Sequence, residues 1–342
     1  MEDQVFDQLA RESAGAPTRR TLVQGLAALV GAAGVGLGLT LDAEAGKSKK
    51  KKRRQQQKKK ETKKKNKTYE CEYKDRVCAT PTNPCLTVAC EDHKCVTSNV
   101  ANGTACGLGR QCSAGVCACP GGVCNATVTP ANLDGWALYN EKTDVQIPAT
   151  FETGPGSPPS GTGSAVLQTG GDPDKQMMSV RMLNGTRLDE LTALTYWTYV
   201  TSSTHNTAPH FQIGITRNID DVQDFWEGRL AFAPHMSEVV PGGWQQWNLL
   251  DPANAWFFLS KGGYPDVPHC TQSARCTFPE VLAHYPGIAI NPTGPSPDND
   301  GAGWGFIGVM VGSGEGVVDA NFDAVTIEVP GSQYNFNFEP NS

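Results

Sequence analysis

The sequence lacks the short motifs that mark common catalytic sites. It contains no Gly-x-Ser-x-Gly, no His-Glu-x-x-His, no phosphate-binding P-loop and no Gly-x-Gly-x-x-Gly after a strand. Charged residues are also scarce, at 19%, whereas 37 Gly and 23 Pro make the chain rich in turns. This composition argues against a coiled coil, a helical bundle or a polytopic membrane protein and favours short β-strands.

Basic residues are concentrated in one segment of the 342-residue chain, whose net charge is −6. Residues 46–67 carry 14 Lys/Arg and 1 Asp/Glu, whereas residues 125–342 carry 8 and 23. The other segments have small net charges, with 3 and 6 in residues 1–45 and 4 and 5 in residues 68–124. Such segregation indicates a modular chain.

Residues 1–45 have the features of an export signal. Arg19 and Arg20 directly precede a glycine-diluted apolar stretch, and a small-x-small site ending at Ala45 predicts cleavage before Gly46. This order resembles the twin-arginine signals of bacteria, which export folded proteins. The resemblance implies an extracellular or cell-surface protein. The alternative is an uncleaved signal that stays as an anchor, which is the only membrane contact we expect.

Residues 46–68 form a Lys-rich stretch without apolar side chains. Because this stretch has nothing to bury, we expect a disordered linker. Residues 46–67 are predicted to bind an anionic surface such as phospholipid head groups, wall polymers or acidic polysaccharide. A solvated spacer and a sorting signal are the alternatives. No aromatic residue is interleaved for base stacking, so we expect no sequence-specific nucleic-acid binding.

Residues 69–124 contain ten of the twelve cysteines. Large apolar residues are scarce there, so covalent bonds must replace a hydrophobic core. The even number and the absence of Cys-x2-Cys pairs favour disulfides over zinc, although the pairing is not readable from sequence. The segment resembles Cys-rich modules of secreted bacterial proteins, which implies an extracellular spacer or contact module. With a tight loop predicted further on, the expected disulfide cysteines are Cys71, Cys78, Cys85, Cys90, Cys95, Cys106, Cys112, Cys117, Cys119, Cys124, Cys270 and Cys276.

Residues 125–342 are predicted to form a two-sheet β-sandwich of the jelly-roll type, so the fold class is mainly β. Short segments rich in β-branched and aromatic residues alternate there with Gly, Pro, Asn and Asp clusters. In residues 193–201, alternation puts Tyr196 on one face and Trp197 and Tyr199 on the other. A helix is predicted at 278–285, and the predicted strands are 135–140, 149–153, 163–169, 176–182, 193–201, 211–216, 229–234, 244–249, 255–259, 303–311, 321–329 and 333–338.

Four segments of this domain resemble uncharacterised extracellular jelly-roll domains of bacteria, namely residues 185–196, 303–306, 321–326 and 334–339. The Asp-x-Val element at Asp323 is also similar to carbohydrate-binding modules, in which the equivalent Asp helps to hold a structural calcium ion. The resemblance implies a fold and does not by itself establish a function.

Candidate binding residues follow from residue type and turn context. Exposed aromatic rings stack on sugars, so Trp226, Trp244, Trp247 and Trp256 are the ligand-binding candidates, with burial in the core as the alternative for each. Clustered Asp residues at turns supply the oxygen ligands that calcium prefers, with ordinary turn chemistry as the alternative. The calcium candidates are Asp172, Asp174, Asp298, Asp300 and Asp323.

These features predict an exported, non-catalytic protein of the cell surface or matrix that binds polysaccharide or cell-wall glycan. Structural calcium is the one cofactor expected. A secreted polysaccharide hydrolase is one alternative, with Glu152, Glu227 and Glu238 as candidate acids because each lies beside apolar or aromatic residues. A structural coat or adhesion protein is another.

Overall fold

The computed structural model describes residues 77–143, 145–172, 174–221, 227–259, 269–291, 306–312 and 314–340. These residues belong to two compact units, a smaller and a larger one. No helix among them is long and apolar enough to span a membrane. The predictions for the export signal and the linker lie outside the described residues, as do those for Arg19, Arg20, Ala45, Gly46, Cys71, Trp226, Asp298 and Asp300.

The smaller unit comprises residues 77–104 and 112–117 of the described chain. Its main element is a hairpin of β1 (Leu86–Glu91) and β2 (Lys94–Asn99). Both residues of the connecting turn have positive φ, which a two-residue type I′ turn requires. A shorter hairpin pairs two three-residue strands, β3 (Gln111–Ser113) and β4 (Val116–Ala118).

All the cysteines that the structure describes are disulfide-bonded, which confirms the prediction for them and leaves no thiolate among them to bind zinc. In the β1–β2 hairpin, Cys90 and Cys95 are both disulfide-bonded. Few side chains of this hairpin are buried, so covalent bonds take the place of a hydrophobic core. Four disulfides are Cys78–Cys95, Cys85–Cys112, Cys119–Cys124 and Cys270–Cys276. Cys90, Cys106 and Cys117 also form disulfides.

The larger unit comprises residues 105–111 and 118–340 and contains a sandwich of a nine-stranded and a seven-stranded sheet. In sheet order, the nine-stranded sheet consists of β16 (Cys276–Thr277), β15 (Ala255–Leu259), β13 (Arg229–Phe232), β12 (His210–Thr216), β18 (Ile307–Gly312), β10 (Lys175–Val180), β6 (Trp136–Asn140) and β7 (Val145–Ile147), with β17 (Ala289–Ile290) beside β12.

The seven-stranded sheet has β19 at its centre. Its strands are β14 (Trp244–Asn248), β11 (Ala193–Ser203), β19 (Val317–Val329), β20 (Ser332–Phe338) and β5 (Val123–Val128), with β9 (Gly163–Gly170) on β19 and β8 (Thr150–Thr153) on β9. Every strand pair in the two sheets is antiparallel except β5 with β20, which is parallel. The helical elements of the described residues are short: α1 (Phe278–His284) and two 3-10 turns (Pro120–Gly122 and Leu188–Glu190).

Aromatic side chains join the two sheets. Trp136 of the nine-stranded sheet packs edge-on against Phe336 and Phe338 of the seven-stranded sheet, with ring centroids 5.2 and 5.1 Å apart. Tyr196 and Phe211 make a second contact across the interface, at 5.3 Å. All five side chains are at most 2% exposed, so each contributes about 1.5–3 kcal/mol of hydrophobic stabilisation.

The predicted fold class is therefore confirmed: mainly β, with a disulfide-rich module and a two-sheet sandwich. All twelve predicted strands and the predicted helix occur within a few residues of their expected places. The helix starts where predicted because Thr277 and Glu280 form a reciprocal capping box at its N-terminus. The domain boundaries proposed from the sequence stay predictions.

Candidate functional site

The outer face of the seven-stranded sheet, opposite the core, carries three half-buried aromatic side chains. Trp197 and Tyr199 alternate with the buried residues of β11. Trp244 of β14 lies directly across from Tyr199, and their ring centroids are 5.6 Å apart. We call Trp197, Tyr199 and Trp244 the aromatic row. All three rings are half-buried, and those of Tyr199 and Trp244 are tilted by 58° to each other.

Two of the tryptophans expected to bind ligand face the core instead. Trp256 is 0% exposed and donates its indole N–H to the Leu249 carbonyl at 2.9 Å. Trp247 is 7% exposed and donates to the Thr198 hydroxyl at 2.8 Å. Because strand alternation sends Trp247 inward, its neighbour three residues before it points outward. Of the described candidates, Trp244 alone lies on an outer face.

The β8–β9 loop (residues 154–162) crosses this outer face beside the aromatic row. Its Pro155 carbonyl accepts the Trp244 indole N–H at 2.8 Å. At its other end, Thr162 donates through its N–H and its hydroxyl to the two Glu339 oxygens, at 2.9 and 3.1 Å. Gly161 has a φ of +65°, and a Cβ there would overlap the Glu339 carboxylate. The loop is therefore held at both ends by hydrogen bonds.

Polar groups surround the aromatic row on its β19 side. Asn321, the partner of Tyr199 on β19, is 1% exposed and donates to the Glu152 carboxylate at 2.8 Å and to the Ser164 hydroxyl at 3.0 Å. The Asn321 amide oxygen is buried and has no hydrogen-bond donor. Two residues before Asn321 on the same strand, Asp319 accepts a bond from the Gln168 amide at 2.9 Å.

Asp323 is a fully buried carboxyl group on the same strand. Its Oδ2 accepts the Ser160 N–H at 3.0 Å, and its Oδ1 accepts the Phe338 N–H at 3.1 Å. Burial raises the pKa of Asp323 to about 7; these N–H donors oppose the rise and the charge of Glu339 adds to it. The desolvation of this carboxyl group therefore outweighs its hydrogen bonds, and it titrates near neutral pH.

The described calcium candidates do not come together in one place. Asp174 accepts the Gly170 N–H at 3.2 Å, which is an ordinary turn contact, and Asp172 accepts the N–H of the distant Gly316 at 3.3 Å. No three carboxylate or imidazole side chains of the described residues converge to metal-binding distance. Asp323 has the more suitable surroundings, because a second buried carboxylate lies close to it.

The surroundings of Asp323 fit a calcium ion in donor type. Glu339 is 8% exposed, and its Oε1 accepts a bond from the Asn337 amide at 3.1 Å. The Asn337 amide oxygen is buried without a donor. Two carboxylates and one unpaired amide oxygen are hard ligands of the kind that calcium takes.

An open cleft of about 620 Å³ lies at one end of the nine-stranded sheet. Its lining includes Arg217, Asp220, Asp221, Glu227 and Tyr285. The Glu227 carboxylate accepts bonds from the Thr216 hydroxyl (2.9 Å) and the Arg217 N–H. The other two candidate acids lie elsewhere: Glu152 is on β8 of the opposite sheet and Glu238 is exposed between β13 and β14. The three therefore form no catalytic pair.

No family model matches the chain, and no curated protein matches it. Two solved structures are similar to it, both from Clostridium thermocellum. One is the family 11 carbohydrate-binding module of a cellulosomal cellulase, with 12% identity, a TM-score of 0.29, and coverage of 57% of this chain and 88% of that chain. The other is the family 11 module in complex with a β-1,3-1,4-mixed-linked tetrasaccharide, with 11% identity, a TM-score of 0.27, and coverage of 60% and 91%. At these values the likeness carries no conclusion about function.

Sequence reasoning passed over three residues of this outer face, Trp197, Tyr199 and Asn321. A signal for the first two was present, because alternation in residues 193–201 already separated them from the core-facing side chains. No local signal marks Asn321, since its partner Glu152 is 169 residues away in sequence.

Proposed function

We propose that the sandwich binds glycan through the aromatic row, and that the protein is a non-catalytic binding protein of the cell surface or matrix. The observation that carries the proposal is the placement of three half-exposed rings on neighbouring strands, beside amide and carboxylate groups. Rings supply the stacking surface for sugars, and the polar groups supply hydrogen-bond partners for hydroxyls. A binding face of this kind needs no catalytic residue.

The test is retention of the full chain on soluble polysaccharides in affinity gel electrophoresis. The variants Tyr199→Ala and Trp244→Ala are expected to lose about tenfold in affinity each, since an aromatic contact contributes about 1–2 kcal/mol. Tyr139→Ala is the matched control, because this half-buried tyrosine belongs to the nine-stranded sheet. Retention on none of a panel of neutral and charged polymers would refute glycan binding.

We further propose a structural calcium ion held by Asp323, Glu339 and Asn337. Bound there, the ion would neutralise two buried carboxylates and tie β19, β20 and the β8–β9 loop together. A chelator is expected to lower the melting temperature of the wild-type protein and to leave Asp323→Asn unaffected. An unchanged melting temperature of the wild-type protein in chelator would refute the structural calcium ion.

Export is the third part of the proposal, with the paired arginines Arg19 and Arg20 as its signal. Support comes from the disulfides, because such bonds persist in oxidising compartments. Replacement of both arginines by lysine is expected to keep the charge and leave the protein in the cytoplasm with reduced thiols. Wild-type protein recovered from the cytoplasm with its signal attached would contradict export.

A hydrolase is the second candidate function, favoured by the position of Glu227 in the open cleft beside Asp220 and Asp221. Polymer turnover that disappears in Glu227→Gln but persists in Glu238→Gln would establish it. We expect no polymer turnover by the wild-type protein. Because the aromatic row lies on the other sheet, Glu227→Gln should leave glycan retention unchanged.

A further inference from the structure

Positive charge is absent from the seven-stranded sheet. None of its seven strands contains Lys or Arg. The described basic residues of the sandwich lie instead in the nine-stranded sheet or in connecting segments; they are Lys142, Lys175, Arg181, Arg187, Arg217, Arg229 and Arg275. The sheet that carries the aromatic row therefore presents carboxylates without nearby cations from its own strands.

Two of these carboxylates lie close to the aromatic row. Glu152 is exposed on β8, and one of its oxygens accepts the Asn321 amide N–H. Asp319 is half-buried on β19, and one of its oxygens accepts the Gln168 amide. In each carboxylate the second oxygen is left to a partner from outside. Glu152 is on β8, three strands away from β11, but its carboxylate extends to the Asn321 amide, and Asn321 is the partner of Tyr199. Asp319 is two residues from Asn321 on β19, about 7 Å along the strand. A sugar chain that runs across Tyr199 can therefore reach both carboxylates.

Asn321 adds an independent indication that a hydrogen-bond donor belongs here. Its amide nitrogen is fixed toward β8 and β9 by Glu152 and Ser164, because a reversed amide would place two acceptors in contact. The amide oxygen therefore faces the other way, toward Tyr199 on β11. This oxygen is buried and has no donor, which is costly unless a ligand supplies one.

We propose that the glycan is an amino sugar polymer with free, protonated amines, of the glucosamine type. The inference rests on the proposed function of the aromatic row and specifies its ligand class. Each sugar of such a polymer carries a protonated amine with three N–H donors and one positive charge. Glu152 and Asp319 are in register with Ser164 and Gln168, four residues apart on β9, so they suit the amines of different sugars, and the Asn321 oxygen lies between them as an acceptor. An anionic polysaccharide would instead meet like charge on this face.

The test compares two oligosaccharides with the same sugar backbone: a glucosamine hexamer and the same hexamer with every amine acetylated, which replaces each charged amine by a neutral acetamide. Calorimetric titration of the full chain at mildly acidic pH and low salt is expected to show about three- to tenfold tighter binding of the free amine. The preference should shrink in high salt because solvent ions screen the exposed Glu152 and the half-buried Asp319. The double variant Glu152→Gln, Asp319→Asn should lose the preference, so that the two hexamers bind with equal affinity. The control pair Asp220→Asn, Asp221→Asn, which has the same charge change in the open cleft, should retain it.

The outcomes separate this inference from the proposed function. Equal affinity for the two hexamers, or tighter binding of the acetylated one, overturns the amine preference and leaves glycan binding intact. A preference that survives in Glu152→Gln, Asp319→Asn also overturns it, because the charge would then be read elsewhere. Binding of neither hexamer, together with no retention on other polymers, refutes both proposals.

Discussion

Asp323 gives the protein a pH dependence of stability that calcium should reverse. In chelator, the folded state keeps the Asp323 proton up to about pH 7, whereas the unfolded chain releases it near pH 3.8. Between these values the unfolded state binds fewer protons, so the free energy of unfolding falls as pH rises. At about 1.4 kcal/mol per pH unit the full contribution is roughly 4 kcal/mol, of which more than half is lost between pH 5 and pH 8.

Calcium competes with the proton for the same carboxylate. At about 100 times its Kd, a metal that binds only the folded state adds roughly 2.7 kcal/mol. This gain should be largest above pH 7, where no proton has to leave. Calcium is therefore expected to cancel most of the loss of stability that chelated protein shows toward alkaline pH.

The assay is urea unfolding with disulfides intact, at pH 5, 6, 7 and 8, in chelator and in calcium. Subtracting the Asp323→Asn curve from the wild-type curve isolates the contribution of this one group. Asp251→Asn, which changes an exposed turn carboxylate, should keep both the slope and the calcium response. A difference curve in chelator that is flat or rises from pH 5 to pH 8 would refute the reasoning.

Three further predictions concern the core. Tyr196→Phe removes the 2.7 Å bond from its buried hydroxyl to the Pro209 carbonyl, so urea unfolding should show a loss of about 1–2 kcal/mol; no loss would mean that this bond contributes nothing. Trp256→Ala should cost about 3–5 kcal/mol because Trp256 is fully buried, whereas Trp244→Ala should cost about 1 kcal/mol, and equal losses would contradict the assignment of Trp244 to the outer face. Gly308→Ala places a Cβ 2.7 Å from Ser179 Cβ and 2.8 Å from the Met178 carbonyl oxygen, so the free energy of unfolding should fall by about 1–3 kcal/mol. An unchanged free energy of unfolding would show that the two strands move apart at little cost.

Local patterns were enough to predict the strands of the sandwich. Two-residue alternation in β11 identified its core face, because one side of each strand must be buried. The same patterns missed β5, whose Asn and Ala are weak strand signals. Its strand conformation depends on pairing with β20, at a sequence distance of 210 between Asn125 and Asn335. A short sequence window around β5 does not contain this partner strand.

The candidate sites were harder to predict than the fold, for the same physical reason. The sequences around Trp244, Trp247 and Trp256 do not distinguish these residues. Only the register of their strands decides which of them faces outward. Asp323 was identified from a short sequence element, but Thr162 and Glu339, which complete its surroundings, are 177 residues apart. Long-range packing brings such groups together, and it leaves no trace at the level of residue spacing.

The parallel pairing of β5 with β20 joins the first strand of the sandwich to the last. Such distant contacts form late and slowly, since the loop between them must close first. A chain cut after β19 would lack Phe336 and Phe338, leaving the Trp136 ring and the edge of β5 uncovered. The C-terminal strand β20 thus covers the edge of β5, and fragments without β20 should aggregate through the uncovered β5 edge rather than fold.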